Sequence, residues 1–127
     1  IAFSNKTNHT ILNGLMWPEL YLLINREYEQ VKNQNEYKMF VVDAALIFEA
    51  NFTNFFDYTL LITANEKQRL DRAIKRTNSS LEDIQNRIQL QMPEKEKKNL
   101  ADYTILNNYS IDNLYKKIDE LFNKLIT

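Results

Sequence analysis

The chain has 127 residues, so it forms one domain at most, and 44% of them are hydrophobic, as a packed core requires. Seven Tyr, seven Phe and one Trp exclude disorder, and a formal net charge of −1 gives no global pull toward nucleic acid or an anionic membrane. There is no cysteine, which removes disulfides and thiolate metal sites and fits a reducing cytosol. No apolar segment approaches the roughly 20 residues of a membrane span, and the opening lacks the charged-then-apolar pattern of a signal peptide.

Phe3 to Thr10 is polar and reads as a loop leading into a short helix. Ile11, Leu12, Leu15 and Met16 have helical spacing, which Trp17-Pro18 interrupts. Pro18 suits the first turn of a second helix, where its missing N–H is not needed. Leu20, Leu23, Ile24, Tyr28 and Val31 mark one apolar face to about Lys32, and Asn33-Gln34-Asn35 is a polar break. The first predicted strand is Lys38 to Val42, whose unbroken apolar character implies burial on both faces. Asn51 to Phe56 reads as a loop or short helix, and Tyr58 to Thr63 as the second strand.

Asn65 with Gln68 forms a capping-box pattern that opens a helix through about Arg76. Thr77-Asn78-Ser79 is a turn, and Ser79 with Glu82 caps a helix to Gln91. Pro93 begins a short helix ending near Leu100, and Tyr103 to Leu106 is the third strand. Ser110 caps a last helix with Ile111, Leu114, Ile118, Leu121, Phe122 and Leu125 on one stripe. Buried strands alternating with helices predict an α/β fold with a parallel sheet, whose carboxyl edge is where such proteins bind ligands.

Four groups of residues can carry chemistry at that edge. Asp43 ends the first strand, where an acid can reach a magnesium ion through water; a solvated or cap-forming acid is the plainer reading. Arg69, Arg72 and Arg76 are spaced three and four apart and share one helix face, and guanidinium forks suit polyphosphate. The plainer reading is a solvated basic face partly paired with Glu66 and Asp71. Asn107 follows a strand, where its amide can read the edge of adenine or simply turn the backbone. Trp17 is placed to stack on a base, and His9, the one histidine, has no ligand cluster around it.

The order Asp43-Ala44-Ala45-Leu46-Ile47-Phe48-Glu49, Gln68, Arg72, Arg76, Arg87-Ile88-Gln89-Leu90-Gln91, Ala101-Asp102-Tyr103-Thr104-Ile105-Leu106-Asn107 resembles the dephospho-coenzyme A kinase family. The departures are Ala45 for the family's Pro, Trp17 for His in a His-Pro pair that follows Phe3-Ser4-Asn5, and Tyr109 for Gly. The resemblance implies a three-layer P-loop kinase fold with a parallel sheet, strand order 2-3-1-4-5, and a helical lid. This chain would supply strands three, four and five, and the absent first strand would lie between its first two. One glycine, Gly14, cannot make a G-x-x-x-x-G-K-[ST] loop, and the chain opens on Ile1. The expectation is therefore one partial kinase domain over 1–127 with its N-terminal strands missing: acceptor-side helices in 1–35, lid helices in 65–100, and the last strand and helix in 101–127. A central gap in the sheet would leave backbone groups unmet, so further residues, another chain or a rearranged fold must fill it.

The same resemblance implies the activity: phosphate transfer from ATP, with magnesium, to the ribose 3′-hydroxyl of dephospho-coenzyme A, the last step of coenzyme A biosynthesis, in the cytoplasm. It implies Arg76 and Arg72 on the transferring phosphates, Arg76 and Asn107 on ATP, and Asp43, Glu49, Trp17 and Arg87 on the acceptor side. No metal ligand set is expected within the chain, and the general base would lie in the missing part. A non-catalytic, kinase-derived binding or assembly module is the alternative, favoured by the absent glycine loop and by Trp17 and Tyr109. Nucleic-acid binding through Lys67, Arg69, Arg72, Lys75 and Arg76 ranks below both, because no aromatic residue interleaves them.

Overall fold

The structure is a computed structural model that describes residues 6–34, 36–77 and 79–127. Phe3-Ser4-Asn5, Asn35 and Asn78, used above, lie outside the described residues, as does the side chain of His9. In chain order the elements are α1 (Lys6–Lys32), a single 3-10 turn (Thr53–Phe55), β1 (Leu60–Thr63), α2 (Glu66–Arg76), α3 (Leu81–Leu90), α4 (Glu94–Leu100), β2 (Tyr103–Leu106) and α5 (Ile111–Leu125). The two strands pair in parallel, Leu60 opposite Tyr103 and Thr63 opposite Leu106, and α2, α3 and α4 form the crossover between them. The α/β class and parallel pairing agree with the sequence.

Local chemistry sets most of the boundaries. Asn65 accepts from the Gln68 N–H and caps α2, and Ser110 accepts from the Asn113 N–H and caps α5. The cap of α3 is Ser80, not Ser79: its hydroxyl accepts from the Asp83 N–H and donates to the Asp83 carboxylate. A box with Asp83 as its acid, one residue further on, therefore replaces the expected one. On α5, Leu114 is buried and Ile118, Leu121 and Leu125 are half-buried, so this part of the stripe faces inward, whereas Ile111 and Phe122, expected on the same stripe, are exposed.

Two expectations for the first third of the chain are corrected. Residues 6–10 of the expected polar loop are helical and there is no break at Trp17-Pro18: one helix runs from Lys6 through Pro18 to Lys32. Pro18 removes one backbone bond, a cost of about 3 kcal/mol in a helix interior. Trp17 and Tyr21, which flank it, both pack on Phe52, with ring centroids 5.0 and 6.0 Å away, and hold the helix together across the proline. The residue whose carbonyl Pro18 crowds is Gly14, which adds no side chain to that crowding.

The second correction is larger. Lys38 to Val42 is not a strand: among the described residues the sheet consists of β1 and β2, and this run joins neither. Tyr37, Met39, Phe40 and Val41 are exposed, Val41 by 74%, rather than buried on both faces. An apolar run becomes a strand only when a neighbouring backbone takes its N–H and C=O groups, and none lies beside this one. An edge-to-face contact between Phe40 and Tyr28, 5.7 Å between centroids, ties it to α1 instead.

The buried core is correspondingly small. Among the described residues the buried apolar side chains are Ala64, Ile84, Ile105 and Leu114. The accessible surface is 9933 Å², against about 7,100 Å² for a compact chain of this mass. Exposed apolar side chains occur along the whole chain, on α1 at Ile11, Leu15, Met16 and Leu22, on the 37–41 run, and on the strands at Leu60, Ile62 and Leu106.

Candidate functional site

The starts of both strands are fastened to each other. The Thr59 N–H and hydroxyl both donate to Asp102 Oδ2 at 2.7 Å, and the Asp102 N–H donates to Thr59 Oγ1 at 3.1 Å. These two hydrogen bonds hold the Asp102 carboxyl below the usual carboxylate range. The clasp was not legible beforehand; the one local signal is that Thr59 and Asp102 each stand just ahead of an apolar run.

The carboxyl edge is tied just as closely. The Asn107 N–H donates to the Thr63 carbonyl at 2.7 Å and extends the ladder by one bond. The Asn65 N–H donates to Asn108 Oδ1 at 2.8 Å, and Gln68 Nε2 donates to the Asn108 carbonyl at 3.0 Å. The half-buried Asn107 therefore sits on a loop fixed by the first turn of α2. Tyr109 needs no left-handed backbone there, because the one positive φ at a non-glycine among the described residues is that of Asn51. The turn after β2 is thus built without the glycine that the family pattern carries.

The three arginines of α2 divide their work. Arg69 pairs with Glu94 of α4 at 3.0 Å, not with Glu66 or Asp71. Arg72 donates to Gln68 Oε1 at 3.4 Å, and Arg76 stands exposed in the last turn. Arg87 is exposed in the last turn of α3. Glu94 also takes Lys98 at 2.6 Å. Partial burial would raise its carboxyl, but Lys98 and Arg69 outweigh that and keep it below its ordinary value.

On the opposite side, Asp43 is exposed at the end of the unpaired run. The turn that follows closes with the Asn51 N–H on the Phe48 carbonyl, the Phe52 N–H on the Ile47 carbonyl, and Asn51 at φ 57°. That is a Schellman ending, with Asn in the left-handed position that favours it. It sends Glu49 toward α4, where Glu49 Oε1 lies 2.7 Å from Lys97 Nζ and accepts from the Met92 N–H at 2.9 Å. Trp17 packs on Phe52 within an aromatic cluster that includes Tyr21 and Phe55, half-buried rather than standing free.

The structure thus brings Glu49 and Arg69 to one short helix and sets Asn107 on the loop beside α2. Among the described residues no hydrogen bond or ion pair joins Asp43, Trp17 or Arg76 to them. Among the described residues no group of three or more His, Cys, Asp or Glu residues could hold a metal ion, and no helix is long and apolar enough to cross a membrane.

Comparison with known proteins gives this arrangement a context. The family model for dephospho-CoA kinase matches residues 1–113. The dephospho-CoA kinase of Chlamydia pneumoniae is 33% identical over 121 residues, which cover 93% of this chain and 60% of that protein. The dephospho-CoA kinase of Saccharomyces cerevisiae is 30% identical over 127 residues, covering 98% and 52%. The crystal structure of TT1252 from Thermus thermophilus superposes with a TM-score of 0.77 at 26% identity, over 98% of this chain and 63% of that one. The chain therefore spans about 60% of the first of these relatives.

Proposed function

Because the chain belongs to the dephospho-CoA kinase family, we propose that it forms the acceptor and lid portion of an enzyme that transfers the γ-phosphate of ATP to the ribose 3′-hydroxyl of dephospho-coenzyme A. The observation that carries the reading is the family match over residues 1–113. In this reading 1–127 is one partial kinase domain in the cytoplasm, with 65–100 as its lid.

Arg76 and Arg72 face the transferring phosphates and offset the charge that spreads over the equatorial oxygens. Arg76 is exposed and makes no ion pair among the described residues, which leaves its guanidinium open to a phosphate. Arg87 supports them from α3. Asn107, on its fastened loop, reads the adenine edge with one donor and one acceptor. On the acceptor side Asp43, Glu49 and Trp17 hold dephospho-coenzyme A, with Trp17 backed by Phe52. Magnesium bound with ATP would neutralise phosphate charge, and Asp43 would hold it through water. The acceptor oxygen bonds to the γ-phosphorus as the bond to the β-bridging oxygen breaks, and no residue of this chain is assigned to take the hydroxyl proton. The unpaired 37–41 run and the exposed face of α1 are where further chain, or another chain, completes the sheet.

The test is phosphorylation of dephospho-coenzyme A by the full-length protein with ATP, before and after Arg76→Met. Transfer to the 3′-hydroxyl that falls by about 100-fold or more in the variant is the expected result. Transfer that is absent from the parent overturns the reading and leaves a kinase-derived binding module. Transfer unchanged in the variant removes Arg76 from the site.

A further inference from the structure

Glu94 and Lys97 lie three residues apart on α4, and each fastens a different part of the chain. Lys97 holds Glu49 at 2.7 Å with both side chains only 11% exposed, and the Met92 N–H, just before α4, donates to the same carboxylate oxygen. Glu94 holds Arg69 at 3.0 Å, the first arginine of the stripe on α2. A helix of seven residues is short and stiff, and side chains three apart on it stand as neighbours. Neither pair can shift far without carrying the other.

The chemistry of the buried pair points to geometry rather than stability. Two charges taken from water lose hydration that their attraction barely restores, and loss of one partner strands the other. Glu49 Oε2 is buried with no partner, so the hold on Oε1 leaves one acceptor still to be filled. Lys97 and Glu94 serve neither ATP nor the acceptor directly in the function proposed above.

We propose that α4 is a coupling strut: Lys97 and Glu94 are positioning residues that tie the placement of the Glu49 turn to that of the arginine stripe on α2. The strut itself is physical and does not depend on the proposed reaction; its value to phosphate transfer does. Holding the acceptor-side acid and the lid arginines in one frame would let arrival of a ligand at either side set the other.

Amide hydrogen exchange in the ligand-free full-length protein tests the strut without reference to activity. In Lys97→Met, exchange at Met92 and across residues 45–51 accelerates about tenfold, and exchange in α2 accelerates about threefold, while Lys97→Arg restores both. Acceleration confined to 45–51 and Met92, with α2 as in the parent, overturns the proposal. Should Lys97→Met fail to fold, Glu94→Gln reads the strut from its other end. Its exchange must accelerate across 45–51, and unchanged exchange there overturns the proposal equally. In kinetics, Lys97→Met raises KM for both dephospho-coenzyme A and ATP; a rise for the acceptor alone argues against coupling. If the full-length protein transfers no phosphate, the functional reading fails while the exchange result still decides the strut.

Discussion

Residues 59–63 and 102–108 are fastened at both ends, whereas residues 36–44 form neither helix nor strand and make no backbone hydrogen bond among the described residues. The first region has the Thr59–Asp102 clasp at its start and the Asn65, Gln68 and Asn108 links at its finish. The second has apolar side chains of equal strand-forming character, yet most of them face solvent. What separates the two is neither composition nor propensity but a neighbour: β2 supplies β1 with a ladder, and nothing supplies the 38–42 run with one.

Removing core from the fastened region sharpens this contrast most. Ile105 is buried at the centre of β2, and Ile105→Ala should cost about 2–5 kcal/mol in urea unfolding. With so few buried apolar residues, that loss takes most of the marginal stability a domain holds.

Thr59→Val should have the next largest effect, because it strips the hydroxyl from both directions of the clasp and leaves the Asp102 carboxylate with one backbone donor. The pH dependence gives its signature. The Asp102 carboxyl is lowered in the folded chain, so the stability it contributes is present above its unfolded value, near 4. That stability is lost as pH falls through the lower folded value. The urea midpoint of the parent should therefore drop on acidification below about pH 4, and that of Thr59→Val should drop less over the same window. Equal slopes in the two proteins would show the clasp to be without weight. Glu94 is lowered as well and adds to the slope of both.

Trp17→Leu should cost less, about 0.5–1.5 kcal/mol beyond area, the scale of an aromatic pair. The substitution loosens α1 around Pro18, which far-ultraviolet circular dichroism on warming reads directly. The smallest effect belongs to the unpartnered run: Val41→Asp should change stability by less than about 0.5 kcal/mol, since Val41 is exposed by 74%. A cost above about 2 kcal/mol would break the comparison, because it would show that a second copy or further chain covers the run in solution.

The clearest readings from sequence were those in which the deciding contacts lie within a few residues. Asn65 and Ser110 cap their helices as their spacing implies, and Leu114, Ile118, Leu121 and Leu125 turn inward while Ile111 and Phe122 of the same stripe do not. Asp83 shifted the third cap by one residue because two serines in a row offer two registers. The arginine spacing placed three guanidinium groups on one face of α2, but not their partners: Arg69 finds Glu94 across the crossover, 25 residues on, rather than its neighbours Glu66 and Asp71. Glu49 was legible as a motif position, yet its hold on Lys97 was not, since nothing local links residues 48 apart.

By itself, then, the sequence determined the family, the α/β class and the extents of α2, α5 and β2, because helix caps, apolar periods and motif spacing act over one or two turns of chain. Tertiary structure alone decided that Pro18 is carried through a helix, that Lys38 to Val42 joins no sheet, and that α4 joins Glu49 to Arg69. Each of those outcomes depends on which distant group comes within bonding range. A strand or a buried ion pair is the property of two segments and cannot be read from one.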